Sequence, residues 1–426
     1  MKCLLSEKCT RLLLLSTLLY LLSFARLFAA GLPPCLILAD TDSIRYQKGT
    51  SNWIYRNNGS SSSLSYNGKI IFTEDDRDIK SISPGGFFKY NKTTFGNCRE
   101  IQILSDMDGT LRRRYFVGRS EEPYEPEGRK WLQEMLPGII ATTGIGAEDR
   151  VQRIYAKSGV NGVMQEIGKL ESDHVQSIYF SYLVTQPRLK DSEMRHILAQ
   201  VDKSIDSDYE KGKLLRKTGP YFLQHEKVTP EYLNAINNMS SDYEKAKAIS
   251  FVLQQGKLSP AGFTQALNTI SGISSDYDQA KVLRQVIAHP ALPERACKEI
   301  FAQLGNVDSD YEKNRIIFAV MSNQKLLDQN FNEVVNAVRN IRSDYEKSRA
   351  LAYLVTKHKL TTQNYLQVFP VVADINSSYE KSKTLQRLKT TMPTDNEQVR
   401  AAYLKTAKTI TSDHEYQRVM HGVEQK

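Results

Sequence analysis

The chain has 426 residues, of which 40% are hydrophobic and 25% are charged, so it is long enough for two or three folded domains. Its 57 Lys and Arg residues against 48 Asp and Glu residues give a net charge of +9 without a dense basic run. This balance argues against nucleic acid as a partner and favours acidic partners only weakly.

Residues 1–39 are predicted to form a targeting segment. Lys2, Lys8 and Arg11 precede an apolar stretch from Leu12 to Phe28. That order is typical of a signal peptide, and the alternative is an uncleaved N-terminal anchor that attaches the protein to a membrane. In both cases we expect the rest of the chain to be exported to the periplasm, the cell envelope or the extracellular space.

The five cysteines do not form a disulfide framework in the sequence. Cys3 and Cys9 belong to the targeting segment, which leaves Cys35, Cys98 and Cys297 for one pair at most. We expect no structural disulfide, and we expect Cys297, within a helical pattern, to be a small packed residue.

Residues 40–118 are predicted to form an antiparallel β domain. Short runs rich in aromatic and β-branched residues, such as "KIIFT", "GFFKY" and "RRRYFV", are separated by turn signals every 10 to 17 residues. These signals include Asn67-Gly68, Gly96-Asn97 and Asp108-Gly109. The acidic, proline-containing segment 119–130 is expected to be a linker.

The segment "SDMDGT" within this region resembles the nucleophile loop of haloacid dehalogenase-type phosphatases. In that family the first carboxylate, at the position of Asp106, attacks phosphorus, and the second, at that of Asp108, handles the leaving-group proton. Such enzymes need a helix after the loop, whereas here the strand pattern "TLRRRYFVG" follows. A hairpin turn at Asp108-Gly109 is therefore the favoured interpretation.

The acidic run Glu74, Asp75, Asp76 and Asp78 has two interpretations. Its oxygens suit Ca²⁺, and the favoured alternative is a solvated loop between strands. We assign no catalytic residue, no cofactor and no metal ligand in the chain.

An internal repeat dominates the rest of the sequence. The motif "SDYEK" or a close variant begins at eight serines, with spacings of 34 or 35 residues. They are Ser172, Ser207, Ser241, Ser275, Ser309, Ser343, Ser377 and Ser412. So fixed a period indicates one supersecondary unit stacked on its own copies, because a single unit cannot bury its apolar face alone.

Each motif is predicted to begin a helix. The serine is the N-cap, the glutamate three residues later completes a capping box, and the aspartate between them adds negative charge near the helix N-terminus. The assigned cap pairs are Ser207 with Glu210, Ser241 with Glu244, Ser309 with Glu312, and Ser343 with Glu346. An apolar residue two positions before each serine is expected to end the preceding helix.

A second helix is predicted between successive motif helices, with start signals such as Thr229-Pro230 and Ser259-Pro260. Two antiparallel helices per repeat make a right-handed α-solenoid, which we place at residues 131–426. The predicted fold class is α+β multidomain, with an antiparallel β domain followed by a solenoid of two-helix repeats.

The repeats resemble two known families. The period of about 34 residues, the Asp-Tyr start and the small residues at Gly212, Ala246, Ala280 and Ser348 are similar to the tetratricopeptide repeat. A HEAT-like stack fits equally well. The whole order of segments is similar to uncharacterised exported bacterial proteins and to extracytoplasmic parts of BlaR-type regulators, although this sequence lacks the HExxH zinc motif of those regulators. The resemblance implies a location more than an activity.

A basic residue recurs six positions after the motif serines. The candidate binding ladder consists of Lys213, Lys247, Lys281, Arg315, Arg349 and Lys383. One interpretation is structural, with ion pairs to the glutamate and cation–π contacts to the tyrosine. The other is a row of cations that receives an acidic partner.

We therefore expect a non-catalytic binding scaffold for protein or peptide partners. A sensory or regulatory ectodomain is the alternative, and a phosphatase-like hydrolase using Asp106 is third.

Overall fold

The computed structural model describes residues 50–57, 60–255, 258–393 and 395–421. The predicted targeting segment, with Cys3, Cys9 and Cys35, lies outside the described residues. The architecture is α+β, since an antiparallel sheet is followed by a long run of helices, and this confirms the predicted fold class. Two compact units are present: the first runs to Gly162 and includes Lys169–Val175, and the second comprises Val163–Gly168 and the chain from Gln176 onward.

Six strands of the first unit form one antiparallel sheet in the order β1-β2-β5-β6-β7-β8, and β3 pairs separately with β4. The strands β1 to β8 are Thr50–Asn57, Ser60–Asn67, Ile70–Phe72, Ile79–Ile82, Phe87–Thr94, Asn97–Ser105, Leu111–Val117 and Ser120–Glu122. The predicted hairpin at Asp108-Gly109 is confirmed: Gly109 has a φ of 86°, and it lies between β6 and β7, which pair in antiparallel register.

The core of the first unit lies between the sheet and the first α-helix. Leu64, Phe88 and Ile101 are buried on the sheet, and Trp131 and Leu136 are buried on helix Arg129–Thr143 within the same cluster. Segment 119–130, expected to be a linker, contains strand β8 and a short π-helical turn, Tyr124–Gly128. The helix expected to open the solenoid at Trp131 thus packs in the β unit, because its apolar stripe covers the sheet.

The α-helices are numbered α1 to α18 in chain order. They are Arg129–Thr143, Ala147–Ile167, Asp173–Val184, Asp191–Ser204, Asp208–Phe222, Thr229–Asn237, Asp242–Gln254, Pro260–Ser271, Asp276–Ile287, Ala296–Gln303, Asp310–Met321, Gln324–Gln329, Phe331–Arg339, Asp344–Lys357, Thr362–Ala373, Ser378–Thr391, Glu397–Ala407 and Asp413–Met420. A 3-10 turn at Leu304–Asn306 follows α10.

The helices of the second unit form two layers. One layer contains the motif helices α5, α7, α9, α11, α14, α16 and α18, each packed against the next. The other layer, α4, α6, α8, α10, α13, α15 and α17, does the same. The apolar residues before the motif serines, including Ile205, Met239 and Ile273, are buried between the layers. This stacking is the solenoid-like arrangement that the period predicted.

Five motif aspartates are each hydrogen-bonded to the following repeat. Asp242 Oδ2 accepts hydrogen bonds from the backbone N–H groups of Ser274 at 3.0 Å and Ser275 at 2.8 Å. The same pair of bonds runs from Ser240 and Ser241 to Asp208, with N···O distances of 2.8 and 2.6 Å. Asp276, Asp310 and Asp344 repeat the arrangement.

The expected capping box is half formed. The Ser241 hydroxyl accepts from the Glu244 N–H at 3.3 Å, as an N-cap should, and Ser207, Ser309 and Ser343 do the same for their glutamates. The serine N–H, which a capping box assigns to the glutamate side chain, donates instead to the aspartate of the preceding repeat. The correction has a simple cause: the neighbouring helix brings a second carboxylate to the same N–H group.

Two cysteines differ in state. Cys98, buried on β6, is disulfide-bonded, so the expectation of no disulfide is wrong. Cys297 is a free, fully buried thiol whose pKa is raised by burial, which confirms its role as a packed residue. In the part of the chain that the structure describes, no helix has both the length and the hydropathy needed to cross a bilayer.

Replacing Asp242 with alanine should lower the free energy of unfolding by about 1.5–3 kcal/mol, because two backbone N–H groups lose a charged acceptor. Asp242→Asn keeps one acceptor oxygen and should lose less. Urea denaturation measures both values. The control is Asp308→Ala, whose carboxylate is 90% exposed and should matter little. Equal losses for Asp242→Ala and Asp308→Ala would contradict the role given to the inter-repeat bond.

Candidate binding surface

Six tyrosines and six cations of the motif helices define what we call the aromatic–cation surface. The tyrosines are Tyr209, Tyr243, Tyr277, Tyr311, Tyr345 and Tyr379, and the cations are those of the candidate binding ladder. Each tyrosine lies in the first turn of its helix and is between 50% and 57% exposed. The helical period places the cation four residues after the tyrosine, on the same face.

Five of the six cations lie over tyrosine rings. Lys213 is 5.6 Å from the ring centroid of Tyr209. Arg315 lies between two repeats, 5.7 Å from the Tyr277 centroid and 5.9 Å from the Tyr311 centroid. The two centroids are therefore no more than about 12 Å apart, which fits the roughly 8–10 Å between axes of packed helices. Lys383 bridges Tyr345 and Tyr379 in the same way, at 5.7 and 5.8 Å.

The glutamate of the same motif forms an ion pair with the cation on the inner side of the helix. Arg315 Nη1 lies 3.0 Å from Glu312 Oε1, and Arg349 Nη1 lies 3.2 Å from Glu346 Oε2. Lys213, Lys247 and Lys383 pair with their own glutamates at 3.8, 3.9 and 3.4 Å. Each of these five cations is therefore positioned between a carboxylate on its inner side and an exposed ring.

Lys281 is the exception in the ladder. It lies in α9 as predicted, but within the described residues it has no ion pair and no ring contact. Its motif acid is Asp278 rather than glutamate, and the shorter side chain reaches less far along the helix.

The lysine at the fifth motif position points inward, which sequence reasoning did not foresee. Lys245 Nζ donates to the Gly272 carbonyl at 3.3 Å, and Lys381 Nζ donates to the Thr409 carbonyl at 3.1 Å. These carbonyls lie at the C-terminal ends of second-layer helices, where a cation is favourable. Burial lowers the pKa of Lys381. The lysine at the fifth motif position and the ladder cation two residues later thus lie on opposite sides of the helix.

A groove of about 420 Å³ opens on the aromatic–cation surface between helices α11, α14 and α16. We call it the cationic groove. Its aromatic and charged lining consists of Phe318, Tyr345, Arg349, Tyr353, Lys383 and Arg387. All three charged residues are basic, so the groove is complementary to a negatively charged ligand.

Aromatic rings form the walls of the groove. The rings of Phe318 and Tyr353 lie 4.9 Å apart between centroids, and Arg349 lies 5.3 Å above the Phe318 ring. The Tyr353 hydroxyl lies 3.1 Å from Ser322 Oγ. Arg387 is exposed and forms no ion pair with any described residue. Its guanidinium group is therefore available to a ligand.

Sequence reasoning found Arg349 and Lys383 but missed Phe318, Tyr353 and Arg387. These three lie nine or ten residues after their motif serines. On a helix such positions share a face with the tyrosine and the ladder cation. That spacing was the available signal, but the residue type at these positions varies between repeats.

The side chains of Asp106 and Asp108 both contact residues of their own hairpin. Asp106 Oδ1 lies 2.5 Å from Arg112 Nη2, and Asp108 Oδ1 accepts from the Thr110 N–H at 2.9 Å. The hydrogen bond from Thr110 lowers the pKa of Asp108. A strand follows the turn, in the place where the phosphatase pattern requires a helix.

Arginines neutralise part of the acidic run. Asp76 pairs with Arg150 and Arg153, both at 2.6 Å, and Asp78 pairs with Arg129 at 2.8 Å. No group of three His, Cys, Asp or Glu side chains in the described ranges could hold a metal ion.

The fold and this surface define a helical-repeat protein with an N-terminal antiparallel sheet. No family model matches the chain, and neither does any curated protein. One solved structure, described as "Computational Design of Self-Assembling Cyclic Protein Homooligomers", matches 65% of this chain and 92% of its own at 11% identity. Its TM-score of 0.12 carries no argument about fold or function.

If the aromatic–cation surface contributes little to stability, Tyr345→Ser should lower the free energy of unfolding by no more than about 1 kcal/mol, the size of a cation–π contact. Tyr365, which is 2% exposed, is the matched comparison. Tyr365→Ser should cost about 3–5 kcal/mol through loss of burial. Urea denaturation of both variants makes the comparison, and a similar loss for the two would assign Tyr345 a mainly structural role.

Proposed function

We propose that the chain is a non-catalytic, exported binding scaffold that contacts a protein or peptide through the aromatic–cation surface of its α-solenoid. The observation that carries the proposal is the row of half-exposed tyrosines, each held beside a cation. A stacked repeat needs the inward side of the motif for its stability. It does not need an aromatic ring in solvent at each repeat.

The composition of the surface supports binding. Tyrosine and arginine are among the residues most enriched at energetically important positions of protein interfaces. Both side chains are held in place here, since Arg349 contacts the Tyr311 ring at 5.7 Å and Glu346 at 3.2 Å. Groups that are already ordered lose less entropy on binding.

The charge of the cationic groove supports an acidic partner. Arg349, Lys383 and Arg387 converge there without an acidic lining residue. Repeat proteins bind partners along extended surfaces of this kind.

Export rests on separate observations. The order of basic and apolar residues at the N-terminus is typical of an export signal. A disulfide at Cys98 fits an oxidising compartment.

Selection of a phage-displayed library of random 12-residue peptides on the full chain tests the binding proposal. We expect enriched peptides whose affinity falls at least about tenfold, or about 1.4 kcal/mol, in the triple variant Arg349→Gln, Lys383→Gln, Arg387→Gln. The matched control replaces three exposed cations elsewhere, Lys203→Gln, Lys325→Gln and Lys357→Gln. Failure to enrich any peptide, or equal binding by both triple variants, would refute the proposed surface.

A C-terminal fusion of the full chain to a reporter that is active only outside the cytoplasm tests export. The reporter should be active, and Leu14→Arg with Leu18→Arg should abolish its activity, because charges interrupt the apolar stretch. An inactive reporter in the parent fusion, at normal protein levels, would refute export.

A further inference from the structure

The cationic groove has features that restrict the conformation of a peptide ligand. We infer that it binds an acidic, proline-rich peptide in the polyproline II conformation, with a carboxylate at every third residue. This inference rests on the proposed function and names the class of peptide.

The basic residues of the groove favour an acidic peptide. Arg349 and Lys383 each contact a glutamate on the inner side of the helix layer and a ring on the outer side. Arg387 has no ion pair with a described residue. Ligand carboxylates would therefore meet one guanidinium group without competition from the protein and two cations that are already ordered. Carboxylates also suit the planar donor group of arginine.

The spacing of the repeats specifies the period. Lys383 lies between Tyr345 and Tyr379, so successive rings are no more than about 12 Å apart, in agreement with helix axes packed at roughly 8–10 Å. A polyproline II helix rises about 3.1 Å per residue with three residues per turn, so side chains on one face recur about every 9 Å. Side chains on one face of a β-strand recur about every 7 Å, which is shorter than the roughly 8–10 Å between packed helix axes.

The aromatic walls specify proline. Phe318 and Tyr353 form a fixed pair with centroids 4.9 Å apart, and Tyr345 lines the same groove with its ring half exposed. Grooves lined by aromatic rings receive proline-rich segments well, because the polyproline II helix is formed before binding and loses little entropy. Carboxylates on one face and proline rings on the other two would then meet cations and rings respectively.

The test uses fluorescein-labelled (Glu-Pro-Pro)5 and fluorescence anisotropy with the full chain. Three control peptides separate the claims: (Gln-Pro-Pro)5 removes the charge, (Glu-Ala-Ala)5 removes the polyproline II conformation, and a peptide with the same composition but its five glutamates in one block removes the period. We expect (Glu-Pro-Pro)5 to bind at least about tenfold more tightly than each control, equivalent to about 1.4 kcal/mol.

Variants locate the binding site. Arg387→Gln and Tyr345→Ser should each weaken binding of (Glu-Pro-Pro)5 several-fold. Lys325→Gln and Tyr221→Ser, which alter an exposed lysine and an exposed tyrosine outside the groove, should leave it unchanged. Circular dichroism of each variant confirms that the helical content is retained.

Each contrary outcome overturns a defined part of the proposal. Equal binding of the block peptide or of (Glu-Ala-Ala)5 overturns the period or the conformation and leaves acidic-peptide binding intact. No binding of (Glu-Pro-Pro)5, while library-selected peptides still depend on Arg387, overturns this inference and leaves the scaffold proposal standing. Tighter binding of alginate oligosaccharides than of any peptide, lost in Arg387→Gln, overturns the peptide class itself.

Discussion

The hydrogen bonds from one repeat's N-terminal amides to the preceding repeat's aspartate are the constraint on which the helical unit depends. The first N–H groups of any helix have no partner inside that helix. Here Asp208 accepts from Ser240 and Ser241, immediately before the next motif helix begins. A repeat therefore cannot complete its own helix start. Because the bond joins residues 32 and 33 positions apart, an inserted residue would separate donor from acceptor, which explains why the period varies so little.

This constraint also orients the rest of the motif. With the aspartate fixed at the first helical position, the glutamate and the following lysine fall on the buried side, and the tyrosine and the ladder cation fall on the exposed side. Lys245 then reaches the Gly272 carbonyl, while Lys247 stays over the Tyr243 ring at 5.3 Å. The seven residues from the motif serine to the ladder cation thus account for both the packing and the outer surface. The serine, aspartate, glutamate and lysine serve the helix start and the packing, and the tyrosine is not among them.

The local features of this fold could be predicted from sequence, and the features that depend on neighbouring repeats could not. The serine caps, the Asp108-Gly109 hairpin and the buried residues before each serine follow from patterns a few residues long. Three other features depend on contacts between segments distant in sequence. They are the hydrogen bonds of the motif aspartate, the packing of Trp131 on the sheet and the disulfide at Cys98. The cationic groove is of the second kind, because Phe318, Tyr353 and Arg387 come from three different repeats.

The irregularity at Lys281 shows how the aromatic–cation surface is divided. Before it, Lys213 and Lys247 each contact the tyrosine ring of their own repeat and, among the described residues, no ring of another repeat. After it, Arg315, Arg349 and Lys383 each contact a ring of the preceding repeat. The cationic groove lies within this second part. These inter-repeat contacts and the cationic groove occur in the same part of the helical unit, which supports our proposal that a partner binds at the C-terminal repeats.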